Sequence, residues 1–355
     1  MHCVFSCRSL WCLLVIRIVD SGKSQMEALQ NLAWHKLDDM PFGIWEPATI
    51  VFGGKIIILG GYADYVSSSK KVQIFDPKDG SWAHLQDLPS AVGHINLIEY
   101  NGSIWFAGGM KDKPGTLVGS EKDHIISEVW QFDLALNRYM AAPLLPEKRG
   151  GGTIASLGSH LHYIGGLKED RDTDGEEHWI FDMDEWSQTG DATWQNAAPL
   201  PMPRNQCAGV VLNNKIYVIG GQFHHDSVQI DQACVHIYDP QSDSWKEGPA
   251  LPYGHSHSEA ATFVFQDRIY MAAGHTTPEG GKKGFCGNLL TLVEGGEWEL
   301  TAKLPKPMSS PACRIVGDQL YVIGGWDGRT DPSSLEGNKG WLSSPEVWVS
   351  DMPKF

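Results

Sequence analysis

Apolar and polar positions alternate along most of this chain in runs of about five residues, the period-two pattern of half-buried β-strands. The runs come in pairs. Residues 207–212 are small and apolar, Asn213-Asn214 reads as a two-residue hairpin turn, and 215–219 is a second apolar run ended by Gly220-Gly221. The same turn recurs at Gly53-Gly54, Asn101-Gly102, Gly158-Ser159, Gln266-Asp267 and Gly317-Asp318. The closing Gly pair, or its remnant, recurs as Gly60-Gly61, Gly108-Gly109, Gly165-Gly166, Ala273-Gly274 and Gly324-Gly325. A third run follows at 72–76, 129–133, 179–182, 233–239, 289–293 and 346–351, with an aromatic-Asp step in copies such as Phe75-Asp76 and Tyr238-Asp239.

The fourth piece is a phrase: an aromatic residue, five spacers, Leu or Met, then Pro. It stands at Trp34–Pro41, Trp82–Pro89, Tyr139–Pro146, Trp194–Pro201, Trp245–Pro252 and Trp298–Pro305. First positions of successive Gly pairs lie 48, 57, 55, 53 and 51 residues apart, the period of a repeat array. A unit of this size cannot bury its own apolar face and must stack on neighbours, so one domain over 33–355 is expected. The chain opens with a fourth-strand phrase and stops just after a third strand. Pairing the two closes a ring and removes the sheet edges. The expectation is an all-β, six-bladed propeller in which the N-terminal strand supplies the outer strand of the last blade.

Gly pair, aromatic-Asp step and spaced Trp together resemble the kelch repeat over essentially all of residues 33–351. Tyr139 in place of Trp and Ala273 in place of Gly are the departures. The resemblance implies a binding module that uses one face of the propeller for a glycan or protein partner. It also implies an alternative: six-bladed kelch propellers of bacterial type are similar to sialic-acid epimerases (mutarotases), whose pocket takes an anionic sugar at the central mouth. The copper radical oxidases of the galactose-oxidase kind have seven blades and a Tyr–Cys crosslink, which six units without an evident Cys–Tyr pair do not match. The chain shows no room for the BTB or F-box partner of ubiquitin-adaptor kelch proteins.

Composition narrows the partners. A formal charge of −15 and a pI near 5.3 argue against nucleic acid and against anionic membrane. Seven cysteines, odd in number and without a C-x-x-C pair, read as buried small hydrophobes at Cys207 and Cys313. Leu10–Val19, following Arg8, is long enough for a signal-peptide core and too short to span a bilayer. Residues 1–32 therefore read as a leader to a secreted or periplasmic protein, or as an upstream extension of a start at Met26. No other stretch could cross a membrane, and a monomer is expected.

The two-residue turns all emerge on one face, and every long insertion emerges on the other: 62–70, 110–127, 167–177, 222–232, 275–288 and 326–345. Long loops on a rigid scaffold mark the working face. Counting sixteen residues back from each Gly pair gives Ile44, Val92, Arg149, Arg204, His257 and Met308 around the mouth, with Trp45, Glu46, His94, Asn205 and Glu259 beside them. Arg149 and Arg204 offer planar forks for a carboxylate or phosphate, unless each is paired with a loop acid such as Glu46, Glu147, Asp226 or Glu259. In an epimerase reading His257 or Glu259 would shuttle a proton. His224, His225, His255 and His275 suit either a polar lining or a Zn or Cu site. No cofactor is otherwise expected. Asp170–Gly175 opens like a calcium loop but has Phe181 where an EF-hand needs an acid, so a solvated acidic turn is the simpler reading.

Overall fold

The computed structural model describes residues 32–112, 124–225, 227–277, 284–334 and 340–352. The reading of residues 1–32 as a leader, the candidate partner Asp226 and the N-terminal cysteines lie outside these residues, Leu32 aside. The described residues form six four-stranded antiparallel sheets, each a unit of the repeat. Sheet one is Ala48–Phe52, Lys55–Leu59, Val72–Asp76 and Ser81–His84. Sheet two runs from Ile98 to Ala142, sheet three from Thr153 to Asn196, sheet four from Ala208 to Glu247 and sheet five from Thr262 to Lys303. Sheet six takes Ala312–Val316, Gln319–Ile323 and Val347–Asp351, and its outer strand is His35–Lys36, paired with Val349 and Trp348.

The innermost strand of each sheet packs on the next, and that of sheet six packs on sheet one. Buried apolar clusters fill the walls between successive sheets. Ala48, Ile57 and Leu59 meet Ile104 and Phe106 between sheets one and two. Ile56, Ile58 and Phe75 meet Tyr321, Ile323 and Val347 between sheets one and six.

The Gly pair has a physical cause. The second member of each pair donates its N–H to the next sheet: Gly61 to Val92, Gly109 to Arg149, Gly166 to Arg204, Gly221 to His255, Gly274 to Met308 and Gly325 to Ile44. A Cβ on Gly108 would stand 2.4 Å from the Arg149 carbonyl oxygen, and the backbone there has φ +65°. Only glycine meets both demands without strain.

In five of its six copies the aromatic–Pro phrase makes a further bond outside the first ring, the Trp82 indole N–H being without a partner among the described residues. Tyr139 Oη donates to Gln86 O, and the indole N–H groups of Trp194, Trp245, Trp298 and Trp34 donate to Pro143, Ala198, Pro249 and Lys303. Each acceptor lies in the preceding copy of the phrase. Tyr139 keeps the function because its hydroxyl reaches where an indole would.

One element departs from the pattern. Between the third and fourth strands of sheet three runs a helix, Met183–Thr189, capped by the Asp182 carboxylate on the N–H groups of Asp184 and Glu185 and ended by Gly190 at φ 70°. No helix among the described residues is long and apolar enough to cross a membrane.

Candidate functional site

The long loops build a crown around the mouth. Tyr62–Ala63 pairs with Ser67–Ser68, Met110–Lys111 with His124–Ile125, and Gln222–Phe223 with Ile230–Asp231. Gly254–Ser256, His275–Thr277 and Gly284–Phe285 make a three-stranded patch. Carboxylates tie loop to loop: Ser68 Oγ donates to Asp112 at 2.7 Å, Ser343 Oγ to Asp64 at 2.8 Å and Tyr65 Oη to Asp331 at 2.7 Å. These bonds tie the loops to one another, which lowers the ordering cost of binding.

At the base of the cup the chain passes the axis once per sheet, each time at a residue with left-handed backbone. These are Glu46 (φ 54°), His94 (54°), Gly151 (61°), Gln206 (51°), His257 (58°) and Ser310 (45°). Backbone bonds join four of the six steps, with Gly151 N on His94 O at 3.2 Å, Gln206 N on Gly151 O at 2.8 Å, His257 N on Gln206 O at 3.4 Å and Glu46 N on Ser310 O at 3.0 Å, and Ser310 Oγ donates to His257 O at 3.1 Å. The six form a collar.

Glu46 reaches across this collar. Its Oε1 lies 3.2 Å from Gln206 Nε2, 3.5 Å from His94 Nε2 and 3.7 Å from His257 Nε2. All three side chains of the Glu46–His94–His257 group are less than a tenth exposed. His94 Nδ1 meets Tyr62 Oη at 2.8 Å. Ser256 Oγ gives its single hydrogen to Asp231 at 2.7 Å, so its contact with His257 Nδ1 at 2.8 Å has the imidazole donating. Glu259 lines the small cavity against the collar with Glu46, His94, Gln206 and Ser310. Burial pushes its carboxyl up to about 7, against one backbone bond that lowers it.

Beside the collar stands an arc of rings. Trp45 packs on Tyr62 at 5.2 Å, on Trp341 at 5.6 Å and on Trp326 at 6.2 Å. Trp326 and Trp341 stack at 4.1 Å and are half-buried, so part of each ring stays open to solvent among the crown loops. Phe285 meets Trp326 at 5.2 Å, and His275 lies between Phe285 and His257.

The candidate residues separate into two groups. Trp45, Glu46, His94, His257 and Glu259 come together at or against the collar. Arg149 and Arg204 do not. Arg204 is fully buried and donates to three carbonyls, Gly220 O at 2.7 Å, Met202 O at 2.9 Å and Val218 O at 3.0 Å. Arg149, 1 % exposed, pairs with Glu147 at 2.9 Å and Glu177 at 2.6 Å and lies over Trp179. Burial would raise the Glu177 carboxyl, but Lys168 and Arg149 outweigh it and hold it down near 2. Both guanidiniums brace the walls between sheets, as Ile44, Val92 and Met308 do at the same step. Asn205 is also turned away, bonding Asp174 at 2.6 Å and so anchoring the loop of sheet three.

Counting back from the Gly pair also misplaces sheet five by two residues. Gly221 donates to His255, so His255 is the register partner of Arg149 and Arg204. The extra length is taken up by a single 3-10 turn, Glu259–Ala261. That insertion is what delivers His257 to the collar.

The histidines scatter. His255 is fully buried with Nε2 on Ala273 O, and burial lowers its affinity for a proton. His224 is exposed against Asp172, and His225 meets Arg171 at 3.2 Å and the edge of His94. His275 stacks on His257 at 4.1 Å and bonds Ser309 at 3.0 Å. Among the described residues no three His, Cys, Asp or Glu side chains meet in metal-binding geometry. A Tyr–Cys contact that the sequence did not suggest does occur, Tyr253 Oη to Cys286 Sγ at 3.7 Å, hydroxyl to thiol rather than ring edge to sulfur. In the calcium-like loop, Asp170 accepts from the N–H groups of Asp172 and Thr173 and closes its own turn.

Fold and repeat define a class, the β-propellers built from kelch units. A kelch motif profile matches residues 46–89 and 203–252. The chain is 29 % identical over 175 residues to the Kelch-like protein terF of Aspergillus terreus, covering 48 % of this chain and 38 % of that one. It is 22 % identical to a kelch repeat-containing protein of Arabidopsis thaliana, covering 83 % of this chain and 71 % of the relative. Against mouse Kelch-like protein 35 the match takes in 36 % of the relative, so for several of these proteins the chain spans well under two thirds of the length. Among solved structures, that of YjhT superposes with a TM-score of 0.68 at 14 % identity, covering 87 % of this chain and 95 % of the other. In its motifs and its fold the chain is similar to the kelch-repeat propellers.

Proposed function

We propose that the crown is a carbohydrate-binding cup. The observation that carries this reading is the pairing of a stacked indole wall, Trp326 on Trp341, with a polar floor of Glu46, His94, Gln206 and His257. A sugar ring presents a C–H face that packs on an aromatic plane and an edge of hydroxyls that both donate and accept. The floor supplies both kinds of partner, and the loop-to-loop carboxylate bonds keep it preformed. A glycan array followed by calorimetry tests this. Binding should fall by about tenfold or more in Trp326→Ala, with the fold unchanged by circular dichroism. An array without hits, or capture of a protein instead, removes the carbohydrate reading.

A second reading, a sugar epimerase of the mutarotase type, is favoured by the Glu46–imidazole contacts and by a Glu259 carboxyl poised near 7 beside them. Its test is anomer interconversion followed by NMR. A rate no faster with protein than without ends it.

A further inference from the structure

We infer that the sugar taken by this cup carries no carboxylate: its ligands are uncharged hexopyranosides, and the matching uronic acids are refused. The inference rests on the carbohydrate reading above and names the ligand class of that same site.

Among the described residues of this face, cationic charge is already spent. A carboxylate ligand needs a cation whose hydrogen bonds are unclaimed, most often an Arg fork. Arg149 has given its charge to Glu147 and Glu177, and Arg204 has given its donors to three main-chain carbonyls inside the wall. Lys306 on the same face is held by Asp327 at 2.6 Å and Glu346 at 2.5 Å, and Arg329 by Asp327 at 2.9 Å. Arg171 turns its guanidinium to Met110 Sδ at 3.1 Å and His225 at 3.2 Å, under the loop. The imidazoles of His94 and His257 each point Nε2 at Glu46.

What stands at the centre of the floor is a carboxylate, Glu46, with Glu259 behind it in the adjoining cavity. A second carboxylate arriving from solvent would meet a like charge in a site that is less than a tenth exposed, where screening by water is weak. A hydroxyl meets the reverse situation, since it donates to Glu46 and accepts from the Gln206 amide. The stacked indoles are indifferent to the substituent and supply affinity to either ligand.

The test is a set of matched pairs titrated calorimetrically into the full chain. In each of the gluco, galacto and manno series, the methyl hexopyranoside is compared with its uronate at low and at moderate salt. In whichever series binds, the neutral sugar should bind about tenfold or more tightly than its uronate, and most of the gap should persist at moderate salt because the site is buried. Glu46→Gln, which keeps shape and hydrogen bonding, should bring the two within about threefold of each other. A uronate bound as tightly as its neutral partner by the unaltered protein overturns the inference while leaving the carbohydrate reading standing. Failure of every sugar in every series removes both. The wild-type comparison decides the matter even if Glu46→Gln fails to fold.

Discussion

Replacing Arg204 by Met separates a wall residue from a ligand-binding one. Met keeps the length of the apolar stem and removes the guanidinium, so no charge is left unpaired in the wall. What is lost is three hydrogen bonds, to Gly220 O, Met202 O and Val218 O, at a fully buried site. At about 1 kcal/mol net for each, the fold should lose roughly 3 kcal/mol. For a chain of this size that corresponds to a fall in melting temperature of about 4–5 °C. Gly220 belongs to the Gly pair whose partner Gly221 bonds sheet five, so the loss should be felt at the junction of sheets four and five. The assay is thermal and urea unfolding of wild type and Arg204→Met, alongside calorimetry with the sugar that binds best. Stability should drop while affinity stays within about twofold. An unchanged melting temperature together with lost binding would refute the reasoning, because it would mean that the guanidinium faces the cup.

Three further outcomes follow from particular contacts. Removing residues 32–41 deletes the His35–Lys36 strand, the bonds of Leu37 and Met40 to sheet six and the Trp34–Lys303 bond, so unfolding should lose cooperativity in a urea melt; a single transition at the original midpoint would contradict the closure. Ala273 sits at φ 53° where the other copies have glycine, so Ala273→Gly should raise stability by about 1 kcal/mol, and an equal or lower midpoint would show no strain there. His162 and His178 touch at 2.8 Å between sheets three and four, and burial lowers them to about 3 and about 4 from 6.5. Both are held neutral in the fold and take up protons on unfolding, so the stability they allow above pH 6.5 is lost as pH falls toward 4. Between pH 7 and 5 the loss should be about 2–4 kcal/mol by urea melts, and His162→Phe should reduce it.

The fold was readable from sequence because its devices are local and repeated. A left-handed glycine pair, a two-residue turn and an outer aromatic each recur at fixed spacing, and each does the same mechanical task in nearly every sheet. The site was readable only in part, and the reason lies in two positions. The step that holds Arg149 and Arg204 also holds Ile44, Val92 and Met308, an apolar company that marks it as facing the wall. Two residues on, the chain reads Glu46, His94, Gly151, Gln206, His257 and Ser310, all polar or glycine. That polar column was the signal for the collar. The two-residue insertion in sheet five left that column polar but put Glu259 in it where the structure has His257. The helix at Met183–Thr189 was missed for a different reason: seven residues are too few for an apolar period to show, and its cap, Asp182, doubles as the aromatic-Asp step.

A crystal structure with the tightest-binding sugar tests the central claim most directly. The sugar ring should lie in the crown against the Trp326–Trp341 wall, with a hydroxyl within hydrogen-bond distance of the Glu46 carboxylate. A sugar seated on the face of the two-residue turns, or in the crown but away from both the indoles and Glu46, would contradict the account.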